Sequence, residues 1–168
     1  SMKESIQKLL KGIEKVEMFL SKVFLSVMIL VVALQVFFRY VINKPLTWPE
    51  ELSSFLLIWL TFLVADILLK RKGHVQVDFF TNKLSEKGQE IVSIIVNLYI
   101  LAFLVFLIIS SIKLEFLQIH HPVGAAMKIP KAFYTMAATI SCASMFLSIC
   151  YFQWESVEKL IKLSKKKD

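Results

Sequence analysis

Four apolar runs, 19–42, 52–69, 91–112 and 133–152, make up half of the 168 residues, and the stretches between and beyond them hold nearly all of the charge. A helix needs roughly 20 predominantly apolar residues to cross a bilayer, so each run predicts one transmembrane helix. Ahead of the first run, Ile6, Leu9, Leu10, Ile13, Val16 and Leu20 recur at helical spacing, with Lys3, Glu4, Lys8, Lys11 and Lys15 opposite them. That pattern predicts an amphipathic helix over 3–18, lying at the membrane interface and running into the first crossing. It suits either an anchor on anionic lipid or an arm that grips a partner subunit. Gly12 is where a bend between the two parts is expected. Beyond the fourth run, 155–168 reads as a basic tail. The expected fold class is an all-α integral membrane protein with four transmembrane helices, an N-terminal amphipathic helix and both termini cytoplasmic, in a single membrane domain.

Turn chemistry sets the boundaries. After Arg39 and Tyr40, the sequence Asn43-Lys44-Pro45 ends the first helix, because a residue before proline avoids the helical region. Thr47 is placed to cap the next helix, with Glu50 three residues on, Pro49 in the first turn and Glu51 favoured by the positive end of the dipole. Trp48 is an interfacial aromatic anchor. No proline or glycine after Gly88 interrupts the third run, so one helix is expected over 85–119, roughly 50 Å long. That exceeds the hydrocarbon core and requires tilt or protrusion. Pro122, Gly124 and Pro130 mark the second outer loop.

Composition supports the membrane reading. With 57% hydrophobic residues and four glycines, the chain is more apolar than an ordinary soluble domain. The net charge of +7 is spread over segment ends and forms no folded basic face, so nucleic acid is not expected as a partner. Four crossings place fifteen lysines and arginines on the side of the termini, against Arg39, Lys44, Lys113, Lys128 and Lys131 on the other. The positive-inside rule makes the terminal side cytoplasmic. The first run is longer than a signal core and lacks a small-residue cleavage site, so it is expected to be retained. Ser1 before Met2 resembles a cloning scar. Cys142 and Cys150 lie eight apart, about 12 Å along one helix, which forbids a disulfide between them.

Few polar groups enter the crossings. Gln35 is suited to a bond with a neighbouring helix. Asp66 precedes Lys70 by four positions, the spacing of a favourable helical pair; an ion pair across a subunit interface and a role in ion or proton coupling stand beside that reading. His74 and Asp78 share the same spacing, which suits a local hydrogen bond better than a metal site. His120 and His121 are adjacent and poorly spaced as ligands. Ala137, Ala138, Ser141, Ala143, Ser144 and Ser148 permit close helix approach in the fourth crossing. No phosphate-cradling glycine loop, CxxC pair, HExxH helix or triad pattern occurs. The chain is expected to be no enzyme and to carry no cofactor. Two alternatives remain: a small proton-coupled exporter using Asp66, and a haem or quinone anchor of a respiratory complex. The histidines lie outside the crossings and at opposite faces, against the second; the first lacks a midplane polar site.

The order RYVINKPLTWPEE, a second crossing, then KRKGHVQVD resembles the small membrane subunit of tripartite ATP-independent periplasmic (TRAP) transporters, the DctQ-like family. The resemblance covers essentially the whole chain. It implies a scaffold subunit of a sodium-coupled secondary transporter in the bacterial inner membrane. The partners implied are a large multi-spanning membrane subunit, which holds the sodium and substrate sites, and a periplasmic substrate-binding protein; the substrate implied is an organic acid such as sialic acid or a C4-dicarboxylate. The matching positions are Arg39, Tyr40, Trp48, Glu50, Glu51, His74 and Asp78, with interface or structural roles. Asp66 joins them from the residue-level reading alone.

Overall fold

The computed structural model describes residues 2–72, 85–118, 120, 122–123 and 126–165. Among the described residues there are four long helices: α1 (Met2–Tyr40), α2 (Trp48–Lys72), α3 (Glu86–Gln118) and α4 (Ala132–Lys165). All four are long and apolar enough to cross a membrane. The chain is an all-α integral membrane protein. Four crossings return it to the side on which it began, and the lysine-rich side is the cytoplasmic one.

Helix α1 runs as one helix through Gly12 for 39 residues, roughly 58 Å. Good helix formers flank Gly12 on both sides, and a methyl group added there would meet nothing within 4 Å. It ends where Asn43 takes a left-handed conformation (φ 55°), which lets the Lys44 amide reach back to the Phe38 carbonyl at 3.1 Å. Asparagine tolerates that region better than most residues. Helix α2 begins at Trp48, directly after Thr47. In the second outer loop, a two-residue antiparallel ladder joins β1 (Pro122–Val123) to β2 (Ile129–Pro130), and Lys128 turns the chain at φ 49°.

Side-chain contacts fix the directions. Trp59 Nε1 donates to the Phe133 carbonyl at 3.1 Å, and Lys70 donates to Ser144 at 2.8 Å. Both contacts join residues 74 positions apart, so α2 and α4 run parallel in one register. Lys3 meets Glu158 while Glu17 meets Ser144, so α1 runs antiparallel to α4. Thr139 donates to Glu115 at 2.5 Å and fixes the outer end of α3 against α4.

The apolar centre lies between α3 and α4, where Leu104, Cys142, Met145 and Ile149 pack together with Ile100, Leu101 and Phe146 around them. The buried face of α4 alternates these with Ala137, Ser141, Ser144 and Ser148. Small side chains bring backbones close, which replaces the hydrophobic driving force that lipid does not supply. Many of the large apolar side chains point outward, among them Phe19, Leu30, Leu98, Phe106 and Phe116. In water that surface would be untenable; in a bilayer it is the solvent-matched face.

Candidate functional site

The densest polar constellation sits toward the cytoplasmic end, where α1, α2 and α4 meet on one nitrogen. Lys70 Nζ donates to Glu17 Oε2 at 2.7 Å, to Asp66 Oδ2 at 3.0 Å and to Ser144 Oγ at 2.8 Å. An ammonium has three donors, and all three are used. The Lys70 side chain is 4% exposed, Asp66 0% and Glu17 9%. Three helices thus close on a buried ion cluster.

Each member is there for a local reason. Asp66 and Lys70 lie one helical turn apart on α2, the geometry that favours an acid four positions ahead of a lysine. Glu17 falls on the face of α1 that also carries the buried Leu10 and Ser21. Ser144 offers the smallest side chain that both permits close approach and supplies a hydroxyl; it also approaches Glu17 Oε1 at 3.4 Å. Two carboxylates face one ammonium, and Asp66 Oδ1 meets no donor among the described residues. Such a cluster contributes registry more than net stability, because pairing has to offset the cost of taking ions out of water. Outside it, Arg71 Nε bonds Glu14 Oε1 at 2.9 Å in a more exposed pair between α2 and α1.

The outer end uses a different device. Glu51, in the first turn of α2, accepts the backbone N–H of Ala126 at 3.1 Å and of Met127 at 2.8 Å. The second outer loop is thereby tied to the start of α2. Phe55 and Tyr134 stack edge-on, centroids 5.1 Å apart, one turn deeper.

The remaining residues singled out from the sequence are placed as follows. Arg39 is exposed in the last turn of α1, its guanidinium 5.9 Å from the ring centre of Tyr40, itself exposed. Among the described residues Arg39 forms no ion pair, and Glu51 reaches the second loop instead. Trp48 is half-buried and opens α2, and Glu50 is exposed. His74, Asp78 and His121 lie outside the described residues. His120 is exposed in the loop after α3. Sequence reasoning missed Glu17 and Ser144. The signal for Glu17 was present: an acid in line with Leu10, Ile13 and Leu20 on an apolar helix face. Ser144 was noticed only as a small residue, since nothing in a sequence separates a packing serine from a ligating one.

Among the described residues, no cluster of three or more His, Cys, Asp or Glu is able to hold a metal ion. Fold and site together define a small multi-pass helical membrane subunit whose charges join its own helices. A family model for the DctQ component of tripartite ATP-independent periplasmic transporters matches residues 28–159, and the chain belongs to that family. These are transporter components, not enzymes, and the chain is a multi-pass protein of the inner membrane. The chain is 30% identical over 84 residues to the sialic acid TRAP transporter small permease protein SiaQ of Vibrio cholerae, covering 50% of this chain and 49% of that one. It is 36% identical over 92 residues to a putative TRAP transporter small permease protein of Haemophilus influenzae, covering 55% and 56%. The chain thus spans about half the length of these relatives. It also matches the sialic acid TRAP transporter permease protein SiaT of Haemophilus influenzae, 30% identical over 92 residues that are 54% of this chain and 15% of SiaT.

Proposed function

We propose that the chain is the scaffold subunit of a sodium-coupled secondary transporter importing an organic acid. It braces a large multi-spanning subunit that holds the sodium and substrate sites, while a periplasmic binding protein delivers the substrate. The match to SiaT carries this reading: a stretch resembling half of this chain makes up only 15% of that permease, so the same module stands beside a far larger one in a single polypeptide. The physical arrangement supports it. The described ion pairs lie at the inner end of the bundle, within and between its own helices, and many of the large apolar side chains face outward. A brace has to resist being dragged along by a moving partner, and a bundle whose helices are cross-tied at both ends resists as one body. Sialic acid is the substrate class named for two of the relatives, and C4-dicarboxylates remain the other class implied.

Asp66 fits a structural role better than a carrier role, because its Oδ2 is already engaged by Lys70. Co-expression with a large multi-spanning TRAP transporter subunit tests the proposal. Stable co-purification, and uptake in proteoliposomes only when both are present, is the expected result. Robust uptake by this chain alone would overturn it.

A further inference from the structure

Between the N-terminal half of α1 and the C-terminal half of α4 lies an apolar slot of about 330 Å³, within the ~300–1,000 Å³ of ordinary ligand sites. Ile6, Leu9 and Leu10 form one wall, and Leu147, Cys150 and Trp154 the other. The slot straddles the inner edge of the membrane. Leu147 and Cys150 belong to the apolar run 133–152, whereas Trp154 follows it, at the depth where aromatic residues meet lipid headgroups.

Charge is not neutral where the slot reaches that edge. The Lys3 ammonium lies 5.8 Å from the ring centre of Trp154 and is paired with Glu158. Glu158 also pairs with Lys162 at 2.8 Å. Two ammonium groups therefore share one carboxylate, and Lys165 follows within a turn of Lys162. The site joins a tail-sized apolar slot to a rim where Lys3 and Lys162 flank Glu158 with one net positive charge, and Lys162 borders a neighbouring cavity with Glu86 and Glu90. The geometry points to a binding site for one anionic phospholipid of the inner leaflet, with an acyl chain between α1 and α4 and its phosphate at Lys3 and Lys162. A neutral lipid satisfies the slot but not the rim. The inference does not depend on the transporter reading.

The test uses the full chain, purified in neutral detergent and stripped of lipid, titrated with phosphatidylglycerol or phosphatidylcholine of matched acyl chains. Native mass spectrometry reads the bound stoichiometry. The expected result is a single phosphatidylglycerol adduct preferred over phosphatidylcholine. Lys3→Gln and Lys162→Gln should each weaken phosphatidylglycerol roughly fivefold, the effect of about one interfacial lysine, and leave phosphatidylcholine unchanged. Cys150→Phe, which fills the slot from an exposed position, should reduce retention of both lipids. If that variant does not fold, the two lysine variants decide. Equal retention of the two lipids, or lysine variants that bind like wild type, would overturn the assignment. Loss of the adduct when the chain is co-purified with the large subunit would also overturn it, and would give the slot to a protein partner.

Discussion

Both ends of the bundle use a charged side chain on α2, Lys70 at the inner end and Glu51 at the outer, to capture a distant part of the chain, yet the two captures differ in kind. At the inner end, Asp66 and Lys70 are sealed among α1, α2 and α4, almost without exposure. At the outer end, Glu51 reaches toward two backbone amides of a surface loop, and Arg39 and Glu50 nearby remain exposed. The chemistry is similar; the surroundings are not. A buried ion is costly to leave without a partner, several kcal/mol after relaxation, whereas an exposed one falls back on water. The inner cluster should therefore be brittle and the outer tie forgiving.

The sharpest way to break the contrast is to remove the shared cation. Lys70→Met leaves Glu17 and Asp66 buried with no counter-charge and should cost about 3–5 kcal/mol. Denaturant unfolding in detergent reads it. Replacing all three ions together, with Glu17→Gln, Asp66→Asn and Lys70→Met, should recover most of that loss, because the penalty arises from unpaired charge and not from lost pairing. A triple variant as unstable as Lys70→Met would show that the cluster contributes net stability, against the argument above.

Next in size is Asp66→Asn. The amide oxygen can still accept from Lys70, and the excess of acid over base disappears, so the cost should stay near or below about 1.5 kcal/mol. In a complex with the large subunit, uptake should persist. Lost uptake with assembly and stability intact would return Asp66 to a coupling role.

Legibility differs between the two ends in the same way. The four helices could be read because long apolar runs leave little choice in a bilayer. The Asp66 and Lys70 pair could be read from its spacing. Glu17 was legible in principle, as an acid misplaced on an apolar face, but its partner sits 53 positions away, and nothing local names it. The Glu51 tie was not legible at all. Its partners are backbone amides, which every non-proline residue possesses, so no residue type marks them. The loop conformation decides which amides point at α2, and Lys128 at positive φ is part of that conformation.

That outer tie supplies the third prediction. Glu51→Ala removes the acceptor of two charge-assisted bonds in a partly solvated place, and about 1–2 kcal/mol should be lost. Hydrogen exchange at the Ala126 and Met127 amides should accelerate, while exchange in α1 near Glu17 stays as it was. Acceleration at both ends would mean that the bundle opens as one unit.

The smallest effect is expected at Arg39. Its guanidinium is exposed and, among the described residues, lies over the face of Tyr40 without an ion pair, an interaction of about 0.5–1 kcal/mol at such sites, and water replaces most of what Arg39→Gln removes. The unfolding free energy should move by no more than about 0.5 kcal/mol. Near-neutrality makes the variant a useful probe, since any weaker retention of the large subunit then has to come from the docking surface and not from a loosened fold. Should Arg39→Gln instead destabilise the isolated chain as much as Glu51→Ala does, the outer end would be held by a cation after all. The contrast between a sealed inner cluster and a solvated outer tie would then fail.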